Sequence, residues 1–377
     1  MKRWISHLLL LILSVVVFTG CKNAASNQII LEVGDNFQTA NDVYPEGTVF
    51  LVRSGVHLGK QVRNPKTGNV WIGENGAIMD GLDEVSEAFT GTAVNVTIQG
   101  IEIRNYIDNG IFFSGGQNVI LRRLTIKDSG SGDGEMHAAI RLNNIENITI
   151  TDNFITRVTS GILHTDCTGP VLIRDNSGVN IGRNFIQLDK CQGSNIEISY
   201  NAMERVGDYL RGEANDVVDW ISLYKSFGAP ESPIIVKFNR ARGHGNDKYG
   251  SFIMLGDGGG ANQVAMGNVG VNPGQVGIGI AGGQNITVIE NTLYSREWEF
   301  SNVAFYSANY SEPFPCDHHL VRDNRSFWIK GSIRQQNNIW TDTMCDPVHF
   351  EDNYFPDFSL NPDIWFQAGE QFNNRDN

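Results

Sequence analysis

Positive charge is in short supply: 29 Lys and Arg stand against 42 Asp and Glu, for a formal net charge of −13 at pH 7. That balance argues against a nucleic-acid partner, because neutralising phosphates needs a basic surface. An acidic polymer stays admissible, since a groove can gather cations that the whole surface lacks. Long apolar runs are also absent beyond Leu8 to Phe18, a stretch too short to span a bilayer comfortably. Proline is sparse, with 11 residues, and no Pro/Ser-rich linker or block of like charge divides the chain. One domain is therefore expected, although its length exceeds the usual single-core limit; folds that grow in one direction escape that limit.

What is present begins with Met1-Lys2-Arg3, the apolar run and Thr19-Gly20-Cys21, the charged, apolar and small-residue order of an export signal. A cysteine after a small pair has the form of a lipobox, so Cys21 is the expected lipid attachment site of an exported lipoprotein of the bacterial outer membrane or cell surface. Removing residues 1–20 deletes Lys2 and Arg3 and no acid, which moves the net charge from −13 to −15.

Glycine is abundant, 41 residues, and helix-favouring stretches are few, which points to short strands joined by tight turns. Self-similarity then organises the chain. Asn95-Val96-Thr97-Ile98, Asn118-Val119-Ile120-Leu121, Asn147-Ile148-Thr149-Ile150, Asn195-Ile196-Glu197-Ile198 and Asn285-Ile286-Thr287-Val288 repeat one pattern. A second family has leading isoleucines at Ile111, Ile140, Ile162, Ile186, Ile221, Ile253 and Ile278. The spacing suits one coil of three short strands per repeat. The expected fold is an all-β, single-domain right-handed parallel β-helix of nine to eleven coils over 46–356. The signal occupies 1–20, a linker and cap 21–45, and a C-terminal cap and tail over the last coil 357–377.

Alternation within strands sends the leading isoleucine inward and the next residue out. Stacked coils then make outward ladders: Phe112, Arg141, Leu163, Gln187, Ser222, Met254 and Gly279 at the second position; Ser114, Asn143, Thr165, Asp189, Tyr224, Gly256 and Ala281 at the fourth. At the fifth, where the strand turns, come Asn144, Asp166, Lys190, Lys225 and Asp257. Two stacked lysines repel each other, and the expectation is that this lowers a lysine pKa toward the range useful for a base.

Cys167 and Cys191 fall at equivalent positions of consecutive coils and are expected to form a disulfide, as are Cys316 and Cys345; their spacings do not form a zinc pattern. His164 falls at an inward position and reads as a core residue. The glycine run Gly256 to Gly260 lacks the strand-loop-helix setting of a phosphate loop and reads as turns, or as a flat floor that a sugar can approach.

The segment Asp219-Trp220-Ile221-Ser222-Leu223-Tyr224-Lys225-Ser226 resembles the lysine-bearing coil of the alginate and chondroitin lyases built on a parallel β-helix, and residues 45 to 355 resemble pectate-lyase-like β-helices more broadly. The resemblance implies Lys225 as the base beside a uronate carboxyl. It also implies calcium held by Asp219 and Asp189, with Asp216 nearby. The arginine of that family is missing from the next coil, so Arg141, Arg240, Arg242 or Lys190 would have to replace it. The Asp-Pro-His motif of β-helix epimerases is interrupted in Asp346-Pro347-Val348-His349.

β-Elimination needs a base, a neutraliser and an acid, and Lys225 or Lys190, Arg141 and Tyr224 are the candidates, with Gln187, Asp189, Ser222, Asp257 and Arg242 as substrate contacts. The first expectation is thus a monomeric lyase acting on an acidic, uronate-containing glycan, ulvan- or alginate-like. Elimination of water at a chain end or epimerisation at C5 would use the same residue types. Two alternatives stay open: glycoside hydrolysis by the carboxylates Asp189, Asp219 and Asp257, and non-catalytic glycan capture.

Overall fold

The computed structural model describes residues 28–373 except 131–135, 207–218, 245–247, 297 and 311–312. The signal, Cys21 and Asp216 therefore lie outside the described residues.

The chain winds as a right-handed parallel β-solenoid of about 12 turns, slightly longer than the expected nine to eleven. Each turn crosses three walls. The first carries strands such as Ile196–Ser199 and Ile234–Lys237, the second Ala202–Glu204 and Arg240–Arg242. The third, which carries the site, stacks Ala138–Asn143, Ser160–Thr165, Ile186–Asp189, Ile221–Tyr224, Ser251–Asp257, Val276–Ile280 and Val303–Ser307. All of these pair in parallel, so every backbone ladder bond joins one coil to the next.

The core follows from the alternation. Ile111, Ile140, Ile162, Ile186, Ile221, Ile253, Ile278 and Phe305 form one continuous inward column across the third wall, in the register expected from the repeat, and all are buried. His164 lies inward as well, fully buried, with burial pushing its pKa down to about 3. Burying apolar columns on three sides is the main stabilisation of such a solenoid.

A second inner column is polar. Asn153, Asn176, Asn201, Asn239, Asn268, Asn291, Asn324 and Asn353 stack at one corner, each donating its Nδ2 to the Oδ1 of the next at 2.9–3.0 Å. Each of these Nδ2 groups also donates to a backbone carbonyl of the preceding coil, Asn239 to Ile198 and Asn268 to Val236 among them. Burial is tolerated because every donor and acceptor finds a partner.

At another corner, where the chain leaves the third wall, Asn144, Asp166, Lys190 and Lys225 all hold left-handed backbone angles, φ 54, 53, 56 and 48°. Their amides donate to the next coil at 2.7–2.9 Å. Immediately beyond, Cys167 and Cys191 are bonded, and Cys316 and Cys345 form the second expected disulfide.

The ends depart from the expected boundaries. Gln28–Leu31 already pairs with Val49–Val52, so stacking starts well before residue 46. Helix α1 (Phe37–Val43) buries Phe37 against Trp71 and closes the N-terminal end. Helix α2 (Ile364–Asn373) does not cover the last coil; it folds back along the second wall, against Arg240–Arg242 and Val269–Val271.

Candidate functional site

The third wall carries a groove made of two cavities, of about 370 and 480 Å³, that meet at Asp219 and Asp257. The smaller is lined by Arg183, Asn184, Gln187, Asp189, Ser222 and Tyr224 among others. The larger is aromatic, with Met254, Tyr306, Tyr310 and Trp340. Five residues expected from the ladders, Gln187, Asp189, Ser222, Tyr224 and Asp257, thus share one groove with Asp219.

A bulge places one of them. Gly256 adds a residue to its strand, so the partner of Tyr224 is Asp257 rather than Gly256. At φ +65°, with the position of a Cβ only 2.1 Å from the Gly282 carbonyl oxygen, only glycine fits there. Asp257 therefore belongs to the ladder of Asp189 and Tyr224, one step back from the turn position expected for it. Gly258 stands beside Lys225 instead.

Asp219 is the most constrained group. It stands just before the Ile221–Tyr224 strand, donates its amide to Asn184 Oδ1 at 3.0 Å, and accepts two bonds on Oδ1 from Ser251, 2.8 Å from the amide and 2.6 Å from the hydroxyl. Only 4 % of the residue is exposed. Burial, reinforced by the nearby Asp257 charge, lifts its pKa to about 6 against the opposing bonds from Ser251. Burial also raises the pKa of Asp257 and of Asp189. A carboxyl that keeps its proton near neutrality beside a second carboxyl is the arrangement acid–base catalysis requires.

The lysines behave differently from expectation. Lys225 lines neither cavity, its Nζ lies 4.8 Å from the Tyr224 ring centroid, and its pKa is raised, not lowered, by the interaction with Tyr224 and by the charges of Asp189 and Asp257. Tyr224 contributes most to the rise and the two acids add to it, while Lys190 is exposed at the preceding corner. Arg141 stands on the Gln187–Ser222 ladder two coils before Gln187, half-buried and 4.7 Å over Phe112, outside the lining of both cavities. Arg242 and Arg240 are on the second wall. Arg242 pairs with Glu204, and both arginines stack on Trp365 of α2, so neither is a substrate contact in this groove.

The calcium implied at Asp219 and Asp189, with Asp216 outside the described residues, finds no closed set of ligands among the residues described. Calcium takes about six to eight oxygens. Among the described residues no three carboxylates converge closely enough to share an ion; the groups that do converge are His164 with Cys167 and Cys191, and His319 with Cys316 and Cys345, whose sulfurs are already joined in disulfides. One Asp219 oxygen is also taken by Ser251.

Sequence reasoning did not find Arg183, Asn184, Tyr306, Tyr310 or Trp340. Arg183 and Asn184 precede their strand in a turn, outside the repeated pattern. The aromatic residues come from later coils whose irregular lengths break the ladder arithmetic.

No protein family and no curated protein matches the chain. Solved structures do. A lacto-N-biosidase of Eubacterium ramulus is 11% identical with a TM-score of 0.58, over 85% of this chain and 64% of that one. The mannuronan C-5 epimerase A-module of Azotobacter vinelandii is 10% identical, TM-score 0.51, over 84% and 88%. A surface adhesin of Streptococcus pneumoniae is 11% identical, TM-score 0.51, over 84% of each chain. At such identities the likeness is one of fold. One solenoid thus carries a hydrolase, an epimerase and an adhesin, and function has to be argued from the groove. What this chain shares with all three is the parallel β-helix.

Proposed function

We propose that the protein is a carbohydrate-active enzyme that hydrolyses a glycosidic bond held across Asp219 and Asp257. The observation that carries this reading is Asp219: a buried carboxyl, protonated up to about pH 6, at the junction of two cavities and beside a second carboxyl. Asp219 donates its proton to the glycosidic oxygen as the C–O bond breaks. Asp257, helped toward its ionised form by the Gly258 amide and the Lys225 charge, takes the proton of the attacking water or attacks the sugar carbon itself. Two carboxyls suffice for either course. Asp189, across Tyr224 on the same ladder, extends the acidic wall. Incubation with glycans, followed by assay of reducing ends and of ultraviolet absorbance from unsaturated uronates, tests the reading: hydrolysis raises the first without the second.

Elimination at a uronate is the second reading, favoured by Tyr224 lining the groove with the Lys225 amine against its ring. It needs Lys225 to surrender its proton, and the raised pKa opposes that.

We also propose that Cys21 carries lipid and anchors the exported chain. The two disulfides suit an oxidising compartment, and metabolic labelling with palmitate, lost in Cys21→Ser, tests the anchor.

A further inference from the structure

The aromatic half of the groove follows from a glycine. Along the outward ladder the side chains run Gln187, Ser222, Met254, Gly279 and Tyr306 on successive coils. Gly279 has no side chain to stand up, and Tyr306 lies back over it: a Cβ built on Gly279 would fall 2.6 Å from the tyrosine ring. The Tyr306 hydroxyl reaches Met254 Sδ, two coils back, at 3.0 Å. The ring thus forms a floor, 8% exposed, next to Asp219 and Asp257. Tyr310 and Trp340 meet it edge-on, with centroids 5.9 and 6.3 Å away, and are 66% and 44% exposed. The result is an aromatic ramp leading from solvent down to the two carboxyls.

The charge lining the groove is mostly negative. Asp189, Asp219 and Asp257 line the two cavities, and Arg183 is the sole Lys or Arg among the described lining residues. A chain of uronates would bring a carboxylate on every sugar into this field. Like charges in a half-enclosed site repel strongly. A neutral sugar avoids that cost, and the hydrogens on the flat face of a pyranose ring suit the negative face of an aromatic ring.

We propose that the groove binds a neutral glycan, with the apolar face of a pyranose seated on the platform of Tyr306, Tyr310 and Trp340 beside the Asp219–Asp257 pair. The proposal names the substrate class for the hydrolytic reading and rests on it only for where the scissile bond sits; binding itself is independent of hydrolysis.

The test is native electrophoresis of the full exported chain through gels containing amylose, dextran, xylan, mixed-linkage glucan or galactan, and in parallel alginate or polygalacturonate. Retardation by at least one neutral polymer and by neither uronate polymer is expected. Trp340→Ala and Tyr310→Ala should each weaken that retardation about tenfold, roughly the loss of one stacking contact. Tyr306→Phe should keep it, because the ring and not the hydroxyl forms the floor. Gly279→Ala should weaken it by lifting the ring, with an unchanged circular dichroism spectrum showing that the fold persists. Retardation by uronate polymers alone, by no neutral polymer, or equally in Trp340→Ala and Tyr310→Ala overturns the proposal. Reducing-end assays on the same polymers separate the two ideas. Hydrolysis confined to uronate polymers would leave the hydrolytic reading standing and remove this one. Platform-dependent binding of a neutral polymer without any cleavage would do the reverse.

Discussion

Ser251 grips Asp219 from two directions, its amide and its hydroxyl both donating to the same Oδ1 at 2.8 and 2.6 Å. The bonds fix the carboxyl plane, while burial keeps the proton on the group to about pH 6. Fixed orientation and a retained proton are the two properties a proton donor needs.

Asp219→Asn preserves both bonds from Ser251, because the amide oxygen can accept them, and removes the transferable proton. Turnover should fall about a hundredfold or more, the usual worth of a positioned acid. Initial-rate assays on the polymer identified by binding check it; near-normal turnover would remove Asp219 from the reaction.

The same substitution should stabilise the fold at pH 7. The folded pKa lies above the ordinary 3.8, so between about pH 4 and 6 the native state holds more protons than the unfolded one. Stability then falls as pH rises through that window, by about 1–3 kcal/mol in all. The asparagine variant escapes this loss. Urea unfolding at pH 4 and pH 7 should show the wild type losing stability over that interval and the variant losing less.

Activity should decline as pH rises through about 6, because Asp219 must be protonated to act. A kcat/KM profile with its alkaline limb near that value is expected, and a limb displaced to lysine-like pH would favour elimination by Lys225 instead.

Lys225→Ala should leave turnover within about threefold, since the amine lines neither cavity and only helps ionise Asp257. Complete loss, with the fold intact by circular dichroism, would restore Lys225 as the base.

Asn239→Ala breaks the buried asparagine column in its middle, taking bonds away from Asn201, Asn268 and the Ile198 carbonyl. The unsatisfied groups left behind should cost about 2–4 kcal/mol. Asn353→Ala, at the partly exposed end of the column, should cost less, and equal losses in urea titrations would contradict the ladder account.

Much of this was legible in the chain itself because a solenoid turns sequence period into spatial neighbourhood. The inward isoleucines, the ladder through Gln187 and Ser222 and both disulfides follow from spacing alone. Spacing loses its hold where the coil length changes. The bulge at Gly256 moves Asp257 by one step, and the turns that deliver Arg183, Asn184 and Trp340 have no fixed length. Alternation also stops at corners: Lys190 and Lys225 belong to a left-handed turn and not to the strand face, and the raised Lys225 pKa comes from Tyr224 and the acids beside it, which the spacing does not reveal. The asparagine column was visible as recurrent Asn153, Asn176 and Asn201, but only the fold reveals that these face inward.

Digestion in oxygen-18 water tests the central claim most directly. Hydrolysis between Asp219 and Asp257 places one labelled oxygen on every new product pair, with no double bond, and Asp219→Asn slows the appearance of labelled product about a hundredfold or more. Products that carry an unsaturated sugar and no label would show that the bond is broken by elimination, and that the buried carboxyl is not the group that breaks it.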